Sequence, residues 1–151
     1  MASSITAGGY DRGKMGKSPG PGSIVLLTRL ARVVYRRSTE EVLGMRLRDF
    51  GTLWWLRDRG PMSQADLNDV LHMDANNVVL LLNELEASGW VERRRDPADR
   101  RRHIVAVTDA GLAAIERGEQ GQQSIEDEVL KGLTTRQREE LRRLLGRALE
   151  A

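Results

Sequence analysis

Residues 85–111, LEASGWVERRRDPADRRRHIVAVTDAG, contain the pattern that decides the fold. Two stretches with strand character, residues 90–94 and 103–107, flank a segment of high charge, and six arginines and two aspartates occupy residues 93–102. The Asp-Pro pair within this segment favours a turn, because proline fixes φ at the second turn position. The stretch therefore predicts a β-hairpin whose tip is rich in arginine.

Two short helices joined by a tight turn are predicted immediately before the hairpin. Ser63 is placed to cap the first helix, with Asp66 near the free backbone amides of its first turn. Asp74 is placed to cap the second helix, and Gly89 supplies a left-handed stop at its end. The second helix has a core-facing stripe at i, i+3, i+4 and i+7, formed by Val78, Leu81, Leu82 and Leu85. Together these features predict a helix-turn-helix.

Longer helices are predicted on both sides of this unit. Residues 23–37 form an apolar helix with Ser23 as its N-cap, and the next helix has one apolar face made by Leu47, Phe50, Leu53, Trp54 and Leu56. Thr108 caps a long helix that ends at Gly132 and Leu133, and its stripe contains Leu112, Ile115, Gln122, Ile125 and Val129.

A last helix begins with a capping box, which Thr134 and Gln137 form. Its apolar stripe consists of Leu141, Leu144, Leu145 and Ala148. The terminal helices carry more apolar surface than the small unit between them can cover, so we expect a second subunit to bury it.

The order of these elements is that of a winged helix-turn-helix. We expect a mainly α fold with a small β-hairpin, in which the terminal helices form a dimerisation region. The predicted organisation is a disordered leader over 1–22, an N-terminal dimerisation helix over 23–46, a winged helix-turn-helix DNA-binding lobe over 47–107, and C-terminal dimerisation helices over 108–151.

Composition excludes several classes of function. The 151 residues contain no cysteine, which rules out disulfides, thiol redox chemistry and cysteine-bound zinc. No apolar run approaches the roughly 18 residues of a membrane span, and no secretory signal is present, so we expect a cytoplasmic protein without membrane contact. His72 and His103 lie in different elements, and no nucleophile has a base nearby. We therefore expect neither an enzyme nor a metal site nor a cofactor.

Charge is segregated along the chain although the net charge is only +2. Residues 60–92 contain six acidic residues and no lysine or arginine, whereas residues 24–59 contain eight arginines against four acids. The positive field is therefore expected at the hairpin tip and in this earlier segment.

From about Leu26 to Leu149 the sequence resembles the MarR (multiple antibiotic resistance regulator) family of transcription factors. The resemblance is carried by the motif residues Leu85-Glu86, Gly89, Arg93, Asp99-Arg100-Arg101, Thr108 and Gly111. Val107 departs from the pattern, because the family usually has leucine there. It implies an obligate dimer formed by the first and last helices. It also implies a second helix of the turn in the major groove of double-stranded DNA and a wing in the neighbouring minor groove.

The resemblance and the exposed positions give a set of expected DNA contacts. Ser63 and Gln64 are expected at phosphates, and the major-groove face is expected to contain Ala75, Asn76, Asn77, Val79, Leu80 and Asn83. Asparagine can pair with adenine and Val79 can touch a thymine methyl group, but first-turn capping is an equal alternative for Asn76 and Asn77. The expected wing residues are Arg94, Arg95, Asp99, Arg100 and Arg101.

A narrow minor groove attracts arginine, and by the family match Arg101 is the inserted residue with Asp99 as its brace. Asp96 and Asp99 are both expected to pair with wing arginines. The alternative is a solvated charge run with no specific task.

One segment departs from the family pattern. Family members often have cations where this chain has Leu80 and Glu84. Glu84 and Glu86 are expected to oppose the approach of DNA, so the wing and residues 24–59 must supply the attraction.

The function expected from this sequence is that of a homodimeric repressor of a pseudo-palindromic operator. A small aromatic or phenolic effector is expected to release it, from a pocket lined by Tyr35, Trp54 and Trp55, although aromatic residues at helical spacing are more often core. The alternative is a winged-helix adaptor that binds little specific DNA and whose acidic turn meets a basic protein.

Overall fold

A computed structural model describes residues 20–150 of the chain. Residues 1–19 of the predicted leader lie outside this range, as does the last residue. The described part contains, in order, α1 (Ser23–Arg37), α2 (Glu40–Leu43), α3 (Leu47–Arg59), β1 (Met62–Ser63), α4 (Gln64–Leu71), α5 (Ala75–Ala87), β2 (Val91–Arg95), β3 (His103–Val107), α6 (Asp109–Val129) and α7 (Thr135–Leu149). This is the predicted order of a winged helix-turn-helix between longer helices.

Helix starts coincide with the predicted caps except in α1. Gly22 is the N-cap there, and its carbonyl accepts the first helical hydrogen bond from the amide of Leu26 at 3.2 Å. Ser23 is already helical and makes no capping bond, so the prediction of Ser23 as N-cap is wrong by one residue. At the other sites a side-chain oxygen accepts the amide of the third helical residue, namely at Ser63, Asp74, Thr108 and Thr134.

The predicted stripe on α5 forms the centre of the core. Its four aliphatic side chains, Val78, Leu81, Leu82 and Leu85, are at most 1% exposed. They belong to one buried cluster with side chains of the other elements, including Leu53, Leu56, Leu67, Val91, Val105 and Ile115. Burial of each aliphatic side chain contributes about 1.5–3 kcal/mol, so the lobe has a core of its own.

The sheet contains one more strand than the hairpin predicted from the sequence. β2 and β3 pair antiparallel from Val91 opposite Val107 to Arg95 opposite His103. β1 adds to the other edge of β3, with Met62 opposite Val105, and the strand order is β1-β3-β2. Because β1 leads directly into α4 and pairs with β3, this strand fixes the position of the helix-turn-helix relative to the hairpin.

Two glycines in α6 allow this helix to pack closely against the segment that precedes α3. A Cβ atom added at Gly121 would lie 2.1 Å from the carbonyl oxygen of Val42, and one at Gly118 would lie 2.8 Å from Cδ2 of Phe50. No larger residue fits at Gly121 without displacement of the backbone, and at Gly118 the Phe50 ring would have to shift. α6 ends at Val129, before the predicted Gly132 and Leu133, and a short turn between Leu130 and Leu133 leads to α7.

The terminal helices bury much less than the lobe does. Neither α1 nor α7 contains a buried residue. Large apolar side chains on both helices remain open to solvent, among them Ile24 at 76%, Leu26 at 51%, Leu144 at 48% and Leu149 at 65% exposure. An apolar helix face left open in a single chain is the kind of surface that a second subunit covers.

Candidate nucleic-acid interface

The outer face of α5 is the most accessible part of the helix-turn-helix. The six side chains expected in the major groove are all exposed, and Leu80 is 60% exposed although it is a large aliphatic residue. Four of them lie at i, i+3, i+4 and i+7 and form what we call the outer stripe, which consists of Asn76, Val79, Leu80 and Asn83. This stripe faces away from the core.

Asn77 has a structural task at the start of α5. Its backbone amide donates to Oδ1 of Asp74 at 3.0 Å, and its side-chain Nδ2 donates to Oδ2 of the same carboxylate. The hydrogen bond from the backbone amide of Asn77 lowers the pKa of Asp74 below its ordinary value, which favours the ionised form of this capping side chain. In the described part of the chain the Asn76 side chain forms no hydrogen bond, so only Asn77 takes the capping role.

The hairpin tip is held by a network of local hydrogen bonds. The backbone amide of Asp96 donates to the carbonyl of Arg102 at 2.9 Å, and the amide of Arg102 donates to the carbonyl of Asp99 at 2.9 Å. The guanidinium of Arg95 donates to the carbonyl of Arg100 at 2.9 Å. The tip is therefore an ordered turn that presents exposed arginines.

The two aspartates of the tip brace the backbone. Asp96 Oδ1 accepts the amide of Ala98 at 2.9 Å, and Asp99 Oδ1 accepts the amide of Arg101 at 3.0 Å. Among the ion pairs of residues 20–150, none joins either carboxylate to an arginine of the wing. The expected pairing of Asp96 and Asp99 with wing arginines is thus corrected: short aspartate side chains reach the nearby amides of their own turn, and Asp99 shapes the backbone at Arg101.

Arg93 links the wing to α5. Its Nη1 donates to Oε2 of Glu86 at 2.6 Å, and its Nη2 donates to Oδ1 of Asn83 at 2.9 Å. One guanidinium therefore holds two side chains on successive turns of α5 from the first hairpin strand. The outer stripe and the arginine-rich tip are held in a fixed relation by this contact, which we call the Arg93 clamp.

The acidic residues of α5 are paired with cations. Glu84 Oε2 accepts Nη2 of Arg48 at 2.8 Å and is also bonded to Arg46. The Arg46 side chain is the main reason that the pKa of Glu84 lies below its ordinary value. Glu86 is held by the Arg93 clamp. Arginines from other elements are therefore paired with both of the carboxylates that we expected to oppose the approach of DNA.

Arg46 and Arg48 were not predicted as site residues. Arg46 also donates its Nε to Oδ2 of Asp49 at 2.7 Å, and Asp49 is buried with 4% exposure. The start of α3 is thereby fixed to the outward side of α5. The sequence signal for these ion pairs is that residues 24–59 are basic while the helix-turn-helix is acidic. This difference suggests that the two segments attract each other, but it does not identify which residues pair.

Ser63 and Gln64, expected at phosphates, lie at the start of α4 and are both half-buried. The Ser63 hydroxyl donates to Oδ2 of Asp66 at 2.7 Å and accepts the Asp66 amide at 3.2 Å. This hydroxyl is the main reason that the pKa of Asp66 is lowered. Arg102 lies 3.9 Å from the same carboxylate and connects the wing loosely to α4.

The expected effector residues fall into two places. Trp54 and Trp55 line a mainly apolar groove of about 530 Å³ between α1, α3, α6 and α7. Their rings meet edge to face with centroids 5.1 Å apart, and the guanidinium of Arg59 lies 4.6 Å from the Trp55 ring centroid. Tyr35 is 74% exposed and lies outside this groove. The structure brings the two tryptophans together and leaves Tyr35 apart.

In residues 20–150 no group of three or more histidine, aspartate or glutamate side chains is arranged to hold a metal ion. No helix in the same part of the chain is both long and apolar enough to cross a membrane.

Comparison with known proteins agrees with this architecture. Residues 46–103 match the family model described as MarR family. The transcriptional repressor NicR of Pseudomonas putida is 39% identical over 67 residues, which cover 44% of this chain and 42% of NicR.

Two solved structures extend the likeness to the terminal helices. A mutant of E. coli MarR complexed with operator DNA superposes with a TM-score of 0.70 and 27% identity, covering 83% of this chain and 91% of that one. BpsR of Bordetella bronchiseptica superposes with a TM-score of 0.73 and 25% identity, covering 92% of this chain and 99% of BpsR.

The sequence matches to curated relatives are shorter, and the chain spans about half the length of the relatives it matches. MarR-family regulators are not enzymes. The family match covers the lobe that contains α5 and the wing, and the structural likeness includes the long terminal helices. The chain is similar to the MarR family of transcriptional regulators over the lobe, and similar in fold over the terminal helices.

Proposed function

We propose that the protein is a homodimeric, DNA-binding transcriptional repressor that acts in the cytoplasm on a pseudo-palindromic operator. In each subunit the outer stripe of α5 enters the major groove, and the wing places Arg101 in the adjacent minor groove. Arg94, Arg95 and Arg100 supply further positive charge along the backbone. Ser63 and Gln64 lie near a phosphate at the start of α4.

The Arg93 clamp is the observation that carries this proposal. A helix and a wing that read neighbouring grooves must keep a constant spacing, because the two grooves of a duplex are separated by a fixed distance. Arg93 ties Asn83 and Glu86 of α5 directly to the base of the wing. It also offsets the charge of Glu86, so the clamp removes an obstacle to the approach of phosphates.

The relatives support the same activity. The E. coli MarR neighbour was crystallised with operator DNA, and NicR is described as a repressor. A dimer accounts for the open apolar faces of α1 and α7. A two-fold dimer reads an inverted repeat, with half-sites about one helical turn apart.

Trp54 and Trp55 suggest how the repressor is released. Their groove adjoins α1 and α7, so a ligand bound there touches both the dimerisation helices and α3. BpsR has its DNA binding regulated by 6-hydroxynicotinic acid, an aromatic acid. We propose a small aromatic or phenolic effector for this groove, with Tyr35 outside it.

The adaptor alternative rested on an acidic helix-turn-helix that could meet a basic protein. Glu84 and Glu86 are already bonded to arginines of the same chain. These pairs leave α5 with less free negative charge than the sequence suggested, which favours DNA over a basic partner.

The test is fluorescence anisotropy with a duplex from the intergenic region upstream of the protein's own gene, compared with random DNA of equal length. We expect a preference of at least about 1,000-fold at physiological salt. An aromatic acid such as 6-hydroxynicotinate, from a panel, should quench tryptophan fluorescence saturably and reduce this preference. If the protein binds every upstream fragment no more tightly than it binds random DNA, the proposal is rejected.

A further inference from the structure

The outer stripe of α5 has an unusual chemistry for a surface that meets DNA. At its centre lie Val79, 36% exposed, and Leu80, 60% exposed. Residues 60–92 contain no lysine or arginine, so no cation lies anywhere on this helix. A DNA-facing helix therefore presents an apolar centre between two asparagines.

Internal bonds reduce the polar groups that are free to read bases. Asn77 is held by Asp74, and the Asn83 oxygen is held by Arg93, which leaves only the Asn83 NH₂ group as a donor. Glu84 is held by Arg46 and Arg48. Within the described residues, the complete amide of Asn76, the NH₂ group of Asn83 and the two aliphatic side chains remain.

These groups match some base pairs and not others. Arginine or lysine on guanine O6 and N7 is the commonest specific contact in the major groove, and α5 has neither residue. The thymine C5-methyl group is the apolar group that the major groove offers, and it suits Val79 and Leu80. The Asn76 amide can pair with N6 and N7 of adenine.

We propose, on the basis of the proposed function, that α5 reads A·T pairs, with Leu80 and Val79 as specificity-determining residues that contact thymine methyl groups and Asn76 as the adenine contact. The arginines of the wing agree with this reading. A·T-rich tracts have a narrow minor groove with enhanced negative potential, which favours inserted arginine.

The experiment begins with the full-length protein and a library of randomised duplexes, from which bound DNA is enriched over several rounds. We expect inverted repeats whose half-sites contain thymine and adenine at the positions facing α5. If no sequence is enriched, the proposed function fails and this inference fails with it. If half-sites dominated by G·C pairs are enriched, the proposed function stands and this inference is overturned.

The second arm tests the methyl groups directly. Uracil replaces thymine at the enriched positions and removes only the C5-methyl group. Loss of one buried methyl contact should weaken binding about three- to four-fold, as expected for a group of that size. Equal affinity for the thymine and uracil duplexes would overturn the inference.

Leu80→Ala and Leu80→Met assign the contact to a residue. The alanine variant should bind the thymine duplex more weakly and lose the difference between the two duplexes, whereas methionine keeps an apolar side chain and should retain it. Because Leu80 is exposed, thermal unfolding of both variants should match that of the unchanged protein. A Leu80→Ala protein that still distinguishes thymine from uracil, with Val79→Ala doing the same, would overturn the assignment.

Discussion

Leu82 in α5 and Leu144 in α7 belong to apolar stripes with the same helical spacing, yet Leu82 is fully buried and Leu144 is 48% exposed. The stripe of α5 is covered by α3, α4, the sheet and α6 of the same chain. Within residues 20–150, the stripe of α7 and the apolar residues at the start of α1 have no such cover. An amphipathic helix is stable only when its apolar face is buried, so the two regions differ in where that burial comes from.

This difference suggests a division of labour. The lobe that contains the outer stripe and the Arg93 clamp completes its core within one chain and so presents a preformed surface to DNA. Under the proposed function the terminal helices are covered by a second copy, and that copy sets the distance between two lobes. Substitutions in the two regions should therefore fail in different ways.

The largest expected effect is the loss of a core side chain from the lobe. Leu82→Ala should lower the free energy of unfolding by about 2–5 kcal/mol, because it removes buried methyl groups and leaves a cavity. Leu80→Ala, on the opposite side of the same helix, should change it by less than about 0.5 kcal/mol. Urea denaturation followed by circular dichroism measures both. Similar losses in the two variants would mean that the faces of α5 are misassigned.

The next effect concerns the terminal helices. Leu144→Glu places a carboxylate on the apolar face of α7, and we expect the dimer dissociation constant to rise at least about 100-fold because the charge must be desolvated. Arg143→Glu adds the same carboxylate on the polar face and should leave the dimer intact. Sedimentation velocity over a dilution series distinguishes them. A Leu144→Glu protein as dimeric as the unchanged one would remove this face of α7 from the interface.

A smaller and more selective effect is expected at the wing. Arg101→Ala should weaken binding to both operator and random DNA by about ten-fold, and should reduce the slope of log K against log salt by about one unit. The dimer and the fold should be unchanged, because the tip is exposed and its shape is held by hydrogen bonds of the backbone. Arg117→Ala, an exposed arginine on α6, is the control for loss of one positive charge. Identical salt slopes for Arg101→Ala and the unchanged protein would exclude a groove contact.

The local features of this fold were predictable from the sequence because they depend on neighbours three or four residues away. The caps of α4 and α5 and the buried stripe of α5 are of this kind, and they occur where the spacing placed them, whereas the predicted cap of α1 was wrong by one residue. The distant pairings were not predictable. β1 consists of two residues that become a strand only by pairing with β3. The ion pairs of Glu84 with Arg46 and Arg48 join residues more than 30 positions apart, and no local pattern predicts them.

The packing of α6 is another distant effect. Glycines usually weaken a helix, and no local pattern explains why Gly118 and Gly121 lie in the middle of this one. The close approach of Val42 and Phe50 supplies the reason. For the candidate site, sequence spacing predicted which residues lie on the outer face of α5, but only the structure showed that Asn77 is bonded to Asp74 and that the Asn76 side chain is not.

The smallest expected effect is a change in acid sensitivity at the junction of α3 and α5. The pKa of Glu84 is lowered in the folded state, mainly by its hydrogen bond from Arg46. Such a group stabilises the fold above its unfolded pKa, and that stability is lost as pH falls through the folded pKa. Glu84→Gln should lower the melting temperature slightly at neutral pH and should reduce the further loss between about pH 5 and pH 3. Parallel melting curves for the two proteins across this range would count against the ion pair.

In the proposed function one dimer holds two preformed lobes at a fixed spacing, and the stoichiometry of binding to DNA tests this most directly. Sedimentation velocity and anisotropy are recorded with an enriched inverted repeat and with the same duplex after one half-site has been scrambled. We predict two chains per duplex on the intact repeat and an affinity at least about 100-fold lower on the scrambled duplex. One chain per duplex, with undiminished affinity for the scrambled DNA, would contradict the account.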